Sequence, residues 1–187
     1  HATSSAHGDL SEPTVPSEIW HSALQEMGGR IDVLINNAGV FVTGQVHDRA
    51  NNLDELDRQF AINVGGVAAA VRAAAPVMGD GGRIISIGSV VGDTSPFPGI
   101  ADYSATKGAV ANLTRSLANE WASLDINVNA IAPSYFSTSM TSALREDAER
   151  SEALLVRLPA GRFGEPEDLK GAVVFLASDA ASYVHGA

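Results

Sequence analysis

Apolar and polar positions along this chain predict short buried strands set between amphipathic helices. The runs 31–35, 83–87 and 126–132 are mostly apolar and of strand length, as expected for parallel strands that are covered on both faces. Elsewhere apolar residues recur at spacings of three and four, which is typical of helices that bury one face. This spacing predicts helices over 16–27, 53–78, 102–123 and 167–177, and Gly28-Gly29 is expected to end the first of them.

Polar or turn-forming residues follow the end of each predicted strand. Asn37 follows the first strand, Ser89 the second and Pro133 the third. Ligands bind outside the carboxyl ends of the strands in open parallel sheets. We therefore expect three separate loops to converge on one edge of the sheet and to form a site there.

Tyr103 and Lys107 stand four residues apart at the start of a predicted helix. Residues at this spacing share a helix face, so the ammonium can lie beside the phenol. A nearby cation favours the phenolate and lowers a tyrosine pKa from its usual value of about 10. Tyr103 is therefore a candidate acid/base. The alternative interpretation is a surface tyrosine beside a lysine whose stem lies along the protein.

Ser89 precedes Tyr103, Asn36-Asn37-Ala38-Gly39 follows the first strand, and Asn63 lies in FAINV. In this combination the chain resembles the short-chain dehydrogenase/reductase family, over about residues 9–186. The resemblance implies an α/β fold, with a Rossmann-like doubly wound parallel sheet and helices on both faces, in which residues 7–10 end a strand. It implies one partial domain over 1–187, incomplete at both ends, because the family's T-G-x-x-x-G-x-G turn and last strand are not found in the sequence.

The resemblance also implies a function, the NAD(P)-dependent interconversion of a secondary alcohol and a ketone. Ser89 would donate a hydrogen bond to the substrate oxygen, Tyr103 would transfer the proton, and Lys107 would lower the tyrosine pKa and hold the nicotinamide ribose. The backbone of Asn63 would hold a relay water. The cofactor, NAD or NADP, would be bound by Asp9, Asn37, Ala38, Gly39, Tyr103, Lys107, Pro133 and Thr138. Two of these have structural alternatives, Asp9 as a helix cap or loop residue and Asn37 as a turn former. Asn63 has one as well, as a structural amide.

The substrate pocket is expected to be lined by Ser89, Val91, Phe97, Tyr103, Tyr135 and Phe136. It would lie beneath a lid formed by 134–165, which is expected to contain one charged helix with Arg145-Glu146-Asp147. Ser134 stands where the family usually has glycine, which puts the local turn geometry in question. GRIISIGSVVG resembles 3-oxoacyl carrier-protein reductases, whereas residues 158–186 resemble gluconate and deoxygluconate dehydrogenases. The expected substrate is a sugar acid or similar small polyol, and an acyl carrier substrate is the alternative. A non-catalytic truncated relative of the family is a third hypothesis.

Composition narrows the set of partners. A net charge of −10 argues against nucleic acid or an anionic membrane. The absence of cysteine excludes disulfides, and the five histidines lack the spacing of metal ligands. No apolar run is expected to reach the ~20 residues of a membrane span, so the expectation is a cytoplasmic protein.

Family resemblance implies a homotetramer built through the two long helices. The strand 31–35 is expected to lack a neighbour on one side, which would make the isolated chain poorly stable.

Overall fold

A three-stranded parallel sheet organises the computed structural model, which describes residues 5–12 and 15–187. The strands are β1 (Ile31–Asn36), β2 (Met78–Ile87) and β3 (Ile126–Ile131), in the order β1-β2-β3. Their register pairs Leu34 with Ile84 and Ile85 with Asn129. All three predicted strands are confirmed, although β2 begins at Met78 rather than at residue 83.

Seven α-helices occur within the described residues, and those predicted from apolar spacing are confirmed. Gly28 and Gly29 end the first helix with φ of 72° and 81°, in the left-handed region that favours glycine. The helices are α1 (Val15–Glu26), α2 (Leu53–Phe60), α3 (Val67–Ala74), α4 (Ala101–Trp121), α5 (Ser142–Glu146), α6 (Ala148–Leu155) and α7 (Pro166–Leu176).

The long helix predicted over 53–78 is interrupted by one π-helical segment. Ala61–Gly66 joins α2 to α3 in this wider conformation, and a short 3₁₀ turn over Ala75–Val77 ends the helix. The segment contains Asn63 and the pair Gly65-Gly66, where the sequence predicts close packing or a kink. Single π-helical turns inside α-helices often mark functional positions.

Both faces of the sheet are covered. On one face, α1, α3 and α4 enclose a core with the strands. On the other face, Ile85 is covered by Leu176 of α7 and by Ala181 of the 3₁₀ turn Asp179–Ala181. The larger core contains Ile31, Leu34, Val67, Ala70, Val71, Ala74, Ile84, Val110, Leu117, Ala118, Ile126 and Val128. This arrangement confirms the doubly wound α/β class.

The expectation that no apolar run reaches the length of a membrane span is wrong for the helix Leu53–Val77. By length and composition alone it could cross a membrane. Its apolar character has another physical reason, because Val67, Ala70, Val71 and Ala74 are buried in the core. The helix therefore has the composition of a core element of the fold.

The two ends of the chain differ from each other in how they meet the sheet. Gly186 donates its backbone N–H to Val128 O at 2.9 Å and Ala130 donates to Ala187 O at 2.8 Å, so the last residues lie along β3. Residues 7–10, expected to end a strand, adopt no regular structure, since in the described part of the chain β1 pairs only with β2. Residues 1–4 and 13–14 lie outside the described residues.

The segment 134–165 leaves the sheet edge and returns to it. Gly164 N donates to Tyr135 O at 2.9 Å and Ser137 N donates to Gly164 O at 2.8 Å, so the two ends of the segment are joined at their base. The single charged helix expected around Arg145-Glu146-Asp147 is in fact two helices. Asp147 has φ −84° and ψ 102° and separates α5 from α6.

Candidate active site

Ser89 and Tyr103 face each other at the carboxyl edge of the sheet. Ser89 follows β2 and begins a 3₁₀ turn over Val90–Gly92, in which Val91 N donates to Ser89 Oγ at 3.4 Å. Tyr103 lies in the first turn of α4, and its phenol and the Ser89 hydroxyl line the same cavity. Two hydroxyl groups that can bind one substrate oxygen are therefore held by separate elements.

Lys107 lies one helical turn after Tyr103, as the spacing predicts. Its Nζ is 5.7 Å from the centre of the Tyr103 ring and donates a hydrogen bond to Ile87 O at 2.8 Å. Both side chains are buried, with 9% of Tyr103 and 7% of Lys107 exposed. The ammonium thus links the helix to the end of β2, directly before Ser89.

Burial dominates the ionisation of both residues. It raises the pKa of the Tyr103 phenol, and the hydrogen bond with Ser89 opposes that rise. Burial lowers the pKa of the Lys107 ammonium. The sequence predicts a lowered pKa for Tyr103, whereas in the chain by itself the pKa is raised, because burial outweighs the hydrogen bond with Ser89. That Lys107 lowers this pKa stays a prediction.

Asn63 connects the loop after β1 to α4. Its Oδ1 accepts from Val40 N at 2.8 Å, while its Nδ2 donates to Val40 O at 2.9 Å and to Thr106 Oγ1 at 3.2 Å. The side chain is 1% exposed. These contacts give the amide a structural role, and the water relay through its backbone stays a prediction.

Gly39 brings that loop close to the lysine. A β-carbon at this position would lie 3.3 Å from Asn63 Oδ1 and 3.7 Å from Lys107 Nζ. The absence of a side chain at Gly39 therefore allows the Asn36-Asn37-Ala38-Gly39 loop, the π-helical segment and α4 to meet at the lysine.

A cavity of about 400 Å³ opens beside the Ser89 and Tyr103 hydroxyls. Five of the six predicted pocket residues line it, and Phe136 does not. The Phe136 ring packs instead against Gly164, where an added β-carbon would lie only 2.6 Å from the ring. The backbones of Phe136 and Gly164 also form a β-bridge. The lining consists of Phe41, Thr43, Ser89, Val90, Val91, Phe97, Ile100, Tyr103, Ser134, Tyr135, Met140, Thr141, Ala143, Leu144 and Arg150.

Several lining residues were missed by the sequence interpretation because they belong to no motif. Phe41 packs edge-on against Tyr103, with 4.7 Å between the ring centres. Met140, Leu144 and Arg150 reach the cavity from the 134–165 segment. Their spacing carries no chemical signal. Only the position of that segment over the sheet edge brings them to the site.

The residues predicted to bind the cofactor lie in different surroundings. Asn37 and Ala38 line a second cleft, of about 340 Å³, between β1, residues 6–10 and the long helix. Asp9 does not line it. The backbone N–H and hydroxyl of Ser11 and the guanidinium of Arg58 hydrogen-bond its carboxylate and lower its pKa to about 2. These contacts match the loop alternative for Asp9.

Pro133 and Thr138 follow β3 and line neither of these two cavities. Val90 N donates to Pro133 O at 3.1 Å, which ties the Ser89 loop to the end of β3. Thr138 is exposed and caps the short helix Ser139–Thr141. Ser134 lines the cavity without a left-handed φ, so its backbone does not require the family's glycine.

Within residues 5–12 and 15–187, no three His, Asp or Glu side chains converge as metal ligands.

The sequence of this chain is similar to those of known dehydrogenases and reductases. A family model described as enoyl-(acyl carrier protein) reductase matches residues 2–187. The 2-dehydro-3-deoxy-D-gluconate 5-dehydrogenase of Pseudoalteromonas atlantica is 43% identical over 161 residues, which are 84% of this chain and 62% of the relative. The gluconate 5-dehydrogenase of Gluconobacter oxydans is 42% identical over 172 residues, covering 88% and 64%. This chain thus spans less than two thirds of the length of either enzyme.

Other matches extend the range of named activities. The 3-oxoacyl-[acyl-carrier-protein] reductase FabG of Thermotoga maritima is 40% identical over 171 residues, 90% of this chain and 67% of the relative. Among solved structures, a gluconate 5-dehydrogenase from Burkholderia cenocepacia in complex with NADP and tartrate aligns with a TM-score of 0.86 and 37% identity. That alignment covers 96% of this chain and 69% of the other.

Proposed function

Because the chain belongs to the short-chain dehydrogenase/reductase family, we propose that it carries the catalytic site of an NAD(P)-dependent oxidoreductase that interconverts a secondary alcohol and a ketone. The observation that carries this proposal is that Ser89 and Tyr103 line the wall of one cavity, while the buried Lys107 ammonium lies 5.7 Å from the Tyr103 ring. Both hydroxyls can contact a single substrate oxygen. The proposed catalytic residues are Ser89, Tyr103, Lys107 and Asn63.

The proposed substrate is a sugar acid or a similar small polyol. The similarity to dehydrogenases named for gluconate and 2-dehydro-3-deoxy-D-gluconate supports this class. So does the cavity, whose lining offers hydroxyl groups on Thr43, Ser134, Tyr135 and Thr141 in addition to the catalytic pair. Hydroxyls both donate and accept hydrogen bonds, which suits a ligand that carries several alcohol groups.

Proton transfer at Tyr103 follows from its burial. Because its pKa is raised, the phenol holds its proton at neutral pH and can deliver it to a ketone oxygen during reduction. In the reverse direction the phenolate takes the alcohol proton. The Ser89 hydroxyl donates a hydrogen bond to the same oxygen, and the Lys107 ammonium stabilises the phenolate that remains after reduction.

The residues present fit a dinucleotide. Ala38 and Gly39 leave the backbone after β1 accessible, Asn37 and Ala38 line the cleft beside it, and the Lys107 ammonium lies at the end of that loop. We propose that NAD or NADP is held by these residues together with Asp9, Tyr103, Pro133 and Thr138. When bound, a nicotinamide cofactor supplies or accepts the two electrons of the reaction as a hydride.

We also propose the remaining features of the family for this protein. These are a cytoplasmic location, a lid formed by 134–165 and a homotetramer. Exposed apolar side chains on α2 support the tetramer, since Leu53 is 68% and Phe60 39% exposed in the single chain.

A second candidate is 3-oxoacyl carrier-protein reduction, which the 40% identity to the Thermotoga maritima enzyme favours. Both candidates use the same Ser89 and Tyr103 chemistry and differ in the substrate bound. Assaying the protein with gluconate and with a 3-oxoacyl thioester, and following NAD(P)H absorbance in both assays, separates them. Faster turnover of the thioester would favour the second candidate.

The central test is Tyr103→Phe, which removes only the proton-bearing oxygen. We expect kcat to fall about 10²- to 10⁴-fold, the usual contribution of general acid–base catalysis, and cofactor affinity to change far less than kcat, because the other cofactor-binding residues are kept. Tyr183→Phe is the matched control, because that side chain is fully exposed at 102%. Near-normal turnover in Tyr103→Phe would contradict the proposal, and an unaltered protein that neither binds nor uses NAD(P)H would support the non-catalytic alternative.

A further inference from the structure

The cavity beside Ser89 and Tyr103 has one charged side chain in its described lining, the guanidinium of Arg150. The other lining residues are neutral hydroxyl, aromatic and aliphatic groups. The protein as a whole carries a net charge of −10. A cation at this position therefore opposes the overall charge and gives the cavity a local preference for an anionic group.

Asp147 fixes the position of Arg150. It caps α6, because its Oδ1 accepts from Arg150 N at 3.1 Å, and its Oδ2 lies 3.3 Å from Arg150 Nε. The same carboxylate thus holds the backbone and one face of the guanidinium. Within residues 5–12 and 15–187 no hydrogen bond from Arg150 Nη1 or Nη2 is present, and the side chain is 77% exposed.

A guanidinium held through Nε presents its two Nη groups as a planar fork. This fork matches the two oxygens of a carboxylate and forms two parallel charge-assisted hydrogen bonds. A neutral polyol offers single hydroxyl oxygens and gains less from it. The side chain therefore distinguishes an acid from a neutral alcohol of the same size.

We propose that Arg150 binds the carboxylate of the substrate and gives the site its specificity for a sugar acid over a neutral polyol. This inference rests on the proposed function, because it assumes that the reacting oxygen lies at Ser89 and Tyr103. The substrate then spans the cavity, with its reacting carbon at the sheet edge and its carboxylate at the start of α6. Arg157 adds a second positive charge near the cavity, since it acts electrostatically on Tyr135.

The test is calorimetric binding of D-gluconate and of D-sorbitol, its neutral six-carbon counterpart, to the unaltered protein, Arg150→Gln and Arg150→Lys. We expect Arg150→Gln to raise the ratio of the gluconate Kd to the sorbitol Kd about 10-fold, since a charge-assisted hydrogen bond is lost. Arg150→Lys keeps the charge without the fork and should give a smaller rise. Arg72→Gln on α3, which is exposed and does not line the cavity, is the matched control for loss of a positive charge.

The readouts separate this inference from the proposed function. An unchanged ratio in Arg150→Gln, equal weakening of both ligands, or no gluconate binding by the unaltered protein would each overturn the role of Arg150. NAD(P)-dependent gluconate turnover measured on the same preparations reports on the function independently. If gluconate is turned over but the ratio of the gluconate Kd to the sorbitol Kd does not change in Arg150→Gln, the proposed function is supported and the role of Arg150 is refuted. If gluconate binding depends on Arg150 but no turnover occurs, the role of Arg150 is supported and the proposed function is refuted.

Discussion

At the scale of single residues, close backbone contact positions Lys107, the lysine of the proposed catalytic site. A β-carbon on Gly92 would lie 3.0 Å from the backbone carbon of Lys107 and 3.1 Å from Gly108 N. Reciprocally, a β-carbon on Gly108 would lie 3.2 Å from Gly92 O. The loop that begins at Ser89 thus rests directly on the helical turn that carries Lys107.

This contact predicts that Gly92→Ala damages both stability and activity. The added methyl group meets backbone atoms, which cannot move aside like a flexible side chain, and such overpacking costs about 1–3 kcal/mol. We expect a lower free energy of unfolding in urea and a reduced kcat. Gly171→Ala on α7 is the matched control, because a β-carbon there meets nothing within 4 Å and alanine favours a helix by up to about 1 kcal/mol. Equal effects of the two substitutions would refute the packing argument.

The residue scale also separates what spacing can predict from what it cannot. The four-residue interval correctly placed Tyr103 and Lys107 on one buried helix face. The direction of the tyrosine pKa was wrong, because the interval gives no measure of burial. Arg150 was missed for a related reason. It reaches the cavity from a segment with no local motif, so its relation to Ser89 exists only in the folded chain.

At the scale of elements, polar side chains at helix ends decide boundaries that apolar periodicity leaves open. Asp147 ends the predicted charged helix and caps α6. The π-helical segment depends on the contacts of Asn63 with Val40 and Thr106, which come from other parts of the chain. Strand and helix identity could therefore be predicted from the sequence, whereas these local departures follow from side-chain partners that the folded chain brings together.

The start of α7 gives a pH-dependent prediction of this kind. Asp168 accepts two hydrogen bonds from Arg162, at 2.7 and 3.0 Å, and one from Glu165 N at 2.8 Å. The bonds from Arg162, followed by the bond from Glu165, lower its pKa from 3.8 to about 2. The folded-state pKa is depressed, so the stabilisation is present above about pH 3.8 and is lost as the pH falls through about 2.

We therefore expect Asp168→Asn to be less stable than the unaltered protein at neutral pH, and the difference to shrink as the pH falls from about 4 to about 2. Thermal melts followed by circular dichroism across this range measure the difference. Asp80→Asn removes a carboxylate from an exposed position on β2 and is the control for net charge. A difference in melting temperature that stays constant over the range would show that Asp168 does not act through its ionised form.

At the scale of the whole molecule, the two outer strands of the sheet are unequal. The last residues of the chain pair with β3, while β1 pairs only with β2 among the described residues. Val33 and Ile35 are 39% and 44% exposed on β1, although their strand has the composition of a buried one. The sequence predicts this mismatch, because IDVLI is typical of a strand covered on both faces and its expected neighbour could not be found among the remaining segments.

This exposed strand predicts that the 187-residue chain associates with itself. An apolar edge with free backbone groups offers a template for pairing with a second copy, and a charge placed on the edge blocks that pairing. We expect Ile35→Lys to reduce the sedimentation-velocity mass at high protein concentration. Val174→Lys, at a position 66% exposed on α7, should leave the mass unchanged, because a helix face offers no free ladder of hydrogen-bond groups. If the unaltered chain sediments as a monomer at every concentration and melts cooperatively, the rest of the fold is sufficient to stabilise β1, and its apolar side chains do not control assembly.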